Sequence, residues 1–79
     1  MRRYFKEVKM VDKGVMTPKE FTERIFGSCE WYEVWAAARI YQEDGGKRFA
    51  PDEFVREVGV EAPEGIDFEK DFSEFLGGN

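Results

Sequence analysis

No histidine occurs in this 79-residue chain, and cysteine occurs once, as Cys29. The first absence removes the commonest general base and a common transition-metal ligand. The second excludes an internal disulfide, and with it the stapled scaffolds of small secreted proteins. No apolar run approaches the roughly 18 residues of a membrane span. After Met1-Arg2-Arg3 there is no apolar stretch of the signal-peptide kind. The expectation is a soluble, cytoplasmic protein with no membrane attachment.

What is present is aromatic and acidic. Eight Phe, three Tyr and two Trp supply core material. A chain this short buries only roughly 60% of its unfolded surface. Large aromatic side chains are its means of building one compact core, and a single domain over residues 1–79 is expected. Charge is sorted along the chain. Residues 1–28 carry a net +3, residues 29–48 a net −1 and residues 49–79 a net −7, within a total of −5. Sorting of this kind bears on long-range fields and partners rather than on fold.

Helix punctuation recurs. Thr17-Pro18-Lys19-Glu20 is a capping box with proline at the first helical position, and Gly27 stops that helix. Ser28 is placed to cap a central helix from Cys29 to about Asp44, ended by Gly45-Gly46. Its apolar stripe is Trp31, Val34, Trp35, Ala38 and Tyr41. Pro51 opens a short helix closed by Gly59. Val60–Ile66 reads as a loop. Asp67 can cap a last helix with Phe68, Phe72, Phe75 and Leu76 on one stripe and Gly77-Gly78 as its end.

The first twelve residues fit two templates. As a helix, Tyr4, Phe5, Val8 and Val11 share a face opposite Arg2, Lys6, Lys9 and Lys13. As a strand, Tyr4, Val8 and Met10 share a face that Lys6 interrupts. The helix satisfies more positions. The expected fold is therefore mainly α: four to five short helices around a central one, with a short N-terminal strand as the alternative. Trp31, Val34, Trp35, Ala38, Tyr41, Phe21, Ile25, Phe54, Phe72 and Phe75 are the expected core.

Catalytic constellations are missing from the pattern. Cys29 lies near a helix start, where the dipole can lower a thiol pKa, but no histidine can activate it. Glu43-Asp44-Gly45-Gly46 with Asp52-Glu53 lacks the alternating ligands of a calcium loop, and Lys47-Arg48 occupies the place of a cation. Gly45-Gly46-Lys47 lacks the earlier glycine and following Ser/Thr of a phosphate loop. No enzymatic activity, metal or cofactor is expected. A helix-turn-helix over Thr17–Asp44 would bring Glu30 and Glu33 toward phosphates, which disfavours groove reading by the second helix.

Binding is the remaining class. Asp52, Glu53, Glu57, Glu61, Glu64, Asp67, Glu69, Asp71 and Glu74 fall within 23 residues. Duplex DNA carries a charge per ~1.7 Å of axis, so a folded surface studded with carboxylates can compete for a phosphate-binding groove. The same charge would also serve plain solubility. On the central helix, Tyr32, Ala36 and Ile40 form a second line, to be covered by the N-terminal segment or by a partner. The expected partner-binding set is Asp52, Glu53, Glu57, Glu61, Glu64, Glu69, Asp71 and Glu74, with Tyr32 and Ile40. The expected partner is a protein with a basic surface. An inhibitor of a nucleic-acid enzyme, a DNA mimic of the phage anti-defence (anti-CRISPR-like) kind, is the most concrete form. The alternative is a nucleic-acid-binding regulator or accessory subunit using the basic N-terminal face.

Overall fold

The computed structural model describes residues 3–77. They form α1 (Phe5–Asp12), α2 (Pro18–Phe26), α3 (Trp31–Glu43), α4 (Pro51–Val58) and α5 (Phe68–Gly77). Among the described residues there is no strand, so the N-terminal segment takes the helical alternative. Val8 and Val11, one turn apart, are both buried there. A strand would put them on opposite faces. Arg2 and Gly78, assigned above to the basic face and to the last helix stop, lie outside the described residues.

Local chemistry sets α2 as its sequence demands. Thr17 Oγ1 accepts from the Glu20 amide at 3.1 Å, and the Glu20 carboxylate accepts from the Thr17 amide at 2.9 Å. Pro18 fills the first turn, and Gly27 ends the helix at φ +78°. The start of α3 differs from expectation. The helix begins at Trp31, not Cys29, with Glu30 as its cap residue. The Glu33 carboxylate takes the Glu30 amide at 2.9 Å, and Ser28 donates its hydroxyl to that same carboxylate. Ser28 thus braces a capping residue instead of being one.

The expected central place of α3 is shared with α2: α2 packs on α1, α3 and α4, α3 on α2, α4 and α5, and α1 joins mainly through α2. Val34, Trp35, Ala37, Ala38 and Tyr41 are buried on α3, against Phe21 of α2, Phe54, Val55 and Val58 of α4, and Phe72 of α5. The radius of gyration is 11.8 Å, against roughly 11.6 Å expected for a compact chain of this length. Three expected core positions are less covered. Trp31 and Ile25 are half-buried, and Phe75 is 41% exposed. Phe75 continues the line of Phe68 and Phe72, which meet Trp31 and Trp35; none of those ring contacts extends to Phe75. Ala37 is fully buried although it lies off the predicted stripe.

Polar groups tie the C-terminal end of α3 to its surroundings. Tyr41 donates its hydroxyl to the Asp12 carboxylate, which also accepts from the Lys47 amide at 3.1 Å. Lys9 donates to the Gly45 carbonyl at 2.8 Å and lies 3.6 Å from Asp12. Asp44, buried, accepts from the Tyr4 amide at 2.6 Å, so it holds the start of α1. A Cβ at Gly46 would lie 2.5 Å from the Tyr41 ring, closer than any side chain tolerates. Here the glycine is required by a close approach of backbone to an aromatic face.

Candidate functional site

The acidic residues divide by what their helices do with them. Asp52 and Glu53 lie in the first turn of α4, Glu69 and Asp71 in the first turn of α5. Negative charge there complements the helix dipole, so these four have a local stabilising role. Glu57 and Glu74 lie in last turns, where the same dipole opposes them. Glu61 and Glu64 are exposed on the segment joining α4 to α5.

Few of these charges are answered. Asp52 pairs with Arg56 at 3.6 Å. Among the described residues, Glu53, Glu57, Glu61, Glu64, Glu69 and Glu74 make no ion pair or side-chain hydrogen bond. Asp71 departs from the expected surface role. It is half-buried and accepts from Trp35 Nε1 at 2.5 Å. It is thus part of the joint between α3 and α5, and a cation at that position would disrupt the fold.

Three grooves touch this half, one of them, of about 530 Å³, running from Gly59, Val60 and Glu61 across to Lys19, Cys29 and Trp31. Of the other two, one, of about 490 Å³, is lined by Pro51, Glu69, Phe72, Ser73, Leu76 and Gly77. Phe72 forms its floor and packs on Trp35, ring centroids 4.8 Å apart, while Leu76 is 46% exposed. The other, of about 470 Å³, is bounded by Trp31, Glu61, Ala62, Pro63 and Glu64. Of the expected site residues, the structure therefore brings Glu69 to the first of these two, Glu61 with Glu64 to the second, and Glu61 also to the one that Lys19 borders. Tyr32 and Ile40 border none of the three. Tyr32 is 74% exposed, whereas Ile40 packs partly against the core. Leu76 and Ser73 were missed as site residues. Leu76 stood on the apolar stripe of the last helix, and the only signal for exposure was its closeness to the glycines that end the helix.

The basic N-terminal face is partly spent within the molecule. Lys9 turns to Gly45 and Asp12, while Lys6 and Lys13 remain exposed. Cys29 lies outside α3, so no helix start lowers its pKa. Burial pushes the thiol up, and the Glu23 carboxylate adds to that. Among the described residues, no group of three or more Asp, Glu or Cys side chains is arranged to hold a metal ion. Nor is any described helix long and apolar enough to cross a membrane. Compared with protein-family models, curated proteins and solved structures, the chain matches none.

Proposed function

We propose that this is a non-enzymatic binding protein whose acidic half docks on a basic surface of a protein partner, acting as an inhibitor of a nucleic-acid enzyme. The observation that carries the reading is the placement of Glu57 and Glu74. Carboxylates in last helical turns cost about 0.3–1 kcal/mol each. Folding alone does not reward them, and no described cation neutralises them. Together with Glu61 and Glu64 they maintain an outward negative field. Such a field speeds encounter with a basic partner and repels nucleic acid from the same face. Occupation of a phosphate-binding surface would then exclude the enzyme's substrate.

The test uses reversal of Glu57, Glu61, Glu64 and Glu74 to Lys, which moves the net charge from −5 to +3. The native protein, immobilised, is expected to retain a nucleic-acid-binding protein from a nuclease-treated lysate. Rising salt or added duplex DNA should release it. The reversed variant should not retain it. Equal capture by both forms, or retention of the native protein on duplex DNA itself, would overturn the reading.

A further inference from the structure

We propose that the groove between the start of α4 and the last turns of α5 receives the apolar face of a basic amphipathic helix from the partner. The inference rests on the acidic-face reading and names its contact. The groove has an apolar floor and wall, Phe72, Pro51 and Leu76, with the small Ser73 and Gly77 leaving room between. Leu76 is 46% exposed. A large apolar side chain so uncovered at the groove wall, over the Phe72 floor, offers anchoring area that the core does not use.

Charge complementarity selects the occupant. Glu69 lines the groove, and Asp52 and Glu53 follow Pro51 at its other wall. Against the six carboxylates of α4 and α5 stand only Arg56, committed to Asp52, and Lys70. A second copy would bring the same negative rim and be repelled. Nucleic acid would be repelled as well, and it has no use for the apolar floor. Apolar anchors at helical spacing flanked by Lys or Arg satisfy floor and rim together, as in helix-in-groove recognition.

The experiment is selection of a displayed random peptide library on the intact protein, with the enriched peptides then titrated into isotope-labelled protein. Enriched sequences should carry apolar residues at i, i+3, i+4 or i+7 with basic flanks. They should shift the amide signals of Ser73, Leu76 and Gly77. Leu76→Asp should weaken them by roughly tenfold or more. Ser73→Arg, at an exposed position, should do the same with an unchanged circular dichroism spectrum and melting temperature. No enrichment, enrichment of acidic peptides, or basic peptides bound equally by both variants would overturn the proposal. So would self-association of the native protein that Leu76→Asp abolishes. A lysate partner captured by the native form and by Leu76→Asp alike, but lost on charge reversal, would sink the groove and leave the acidic-face reading standing.

Discussion

The two ends of α3 are each held by one aromatic–carboxylate bond, and they are built on different terms. At the C-terminal end Asp12 collects the Tyr41 hydroxyl and the Lys47 amide, with Lys9 beside it. At the N-terminal end Asp71 receives Trp35 Nε1, while Phe68 and Phe72 pack around the ring. Both ends carry ring packing, Tyr41 among Phe21, Phe49 and Phe54 and Trp35 among Trp31, Phe68 and Phe72; the carboxylate at the first end collects two donors beside a lysine, and the one at the second end a single indole. The second leaves Phe75 and Leu76 uncovered. The two-donor carboxylate and the apolar surface that α5 leaves uncovered thus lie toward opposite ends of α3.

The strongest way to break that contrast is Trp35→Ala. It removes the ring that Phe68 and Phe72 pack on and leaves Asp71 without its donor. The expected loss is about 3–5 kcal/mol by chemical denaturation, a large part of a small domain's stability. A loss below that of an ordinary surface change would show that the α5 end is not ring-dependent.

At the opposite end, Asp12→Asn should cost about 1–3 kcal/mol near neutral pH. Burial raises the Asp12 pKa, but the Tyr41 hydroxyl, the Lys47 amide and the Lys9 charge outweigh it and hold it below its ordinary 3.8. A carboxyl depressed by folding contributes stability above its unfolded pKa and loses it as pH falls through the folded one. Native protein should therefore lose stability below about pH 3.8 more steeply than Asp12→Asn. Parallel acid limbs would refute the polar fastening. Burial and the same carboxylate push the Tyr41 hydroxyl well up, so that group stays neutral through the ordinary alkaline range.

The smallest effect sharpens the contrast most. Glu74→Lys replaces a dipole-opposed charge with a favoured one and should stabilise by about 0.3–1 kcal/mol. Melting temperature should rise while association with a basic partner slows. A variant both less stable and unchanged in association would remove the functional argument for this residue.

Local chemistry was the legible part of the sequence. The Thr17–Glu20 box, the prolines that open α2 and α4 and the Val34–Tyr41 stripe all act within a few residues of themselves. Asp12–Tyr41 and Asp71–Trp35 join residues 29 and 36 apart, and no spacing rule announces them. Ser28 was misread because a hydroxyl before a helix satisfies either an amide or a nearby carboxylate, and Glu33 offered the second. Phe75 was misread because periodicity fixes a face but not where the core beneath it ends. The acidity of the candidate site was plain in the composition. Its division into helix-supporting and helix-opposing carboxylates needed the helix bounds.

Both tryptophans of the chain lie in the first half of α3, edge to face with centroids 5.4 Å apart. Tryptophan emission is therefore a local reporter of the α5 end. Tyr41, stacked on Phe49 at 5.4 Å, occupies the other end. Detachment of α5 would change the indole signal while the Tyr41–Phe49 stack persists. Excitation at the red edge, which selects indole over phenol, can therefore follow that end alone, without an introduced label.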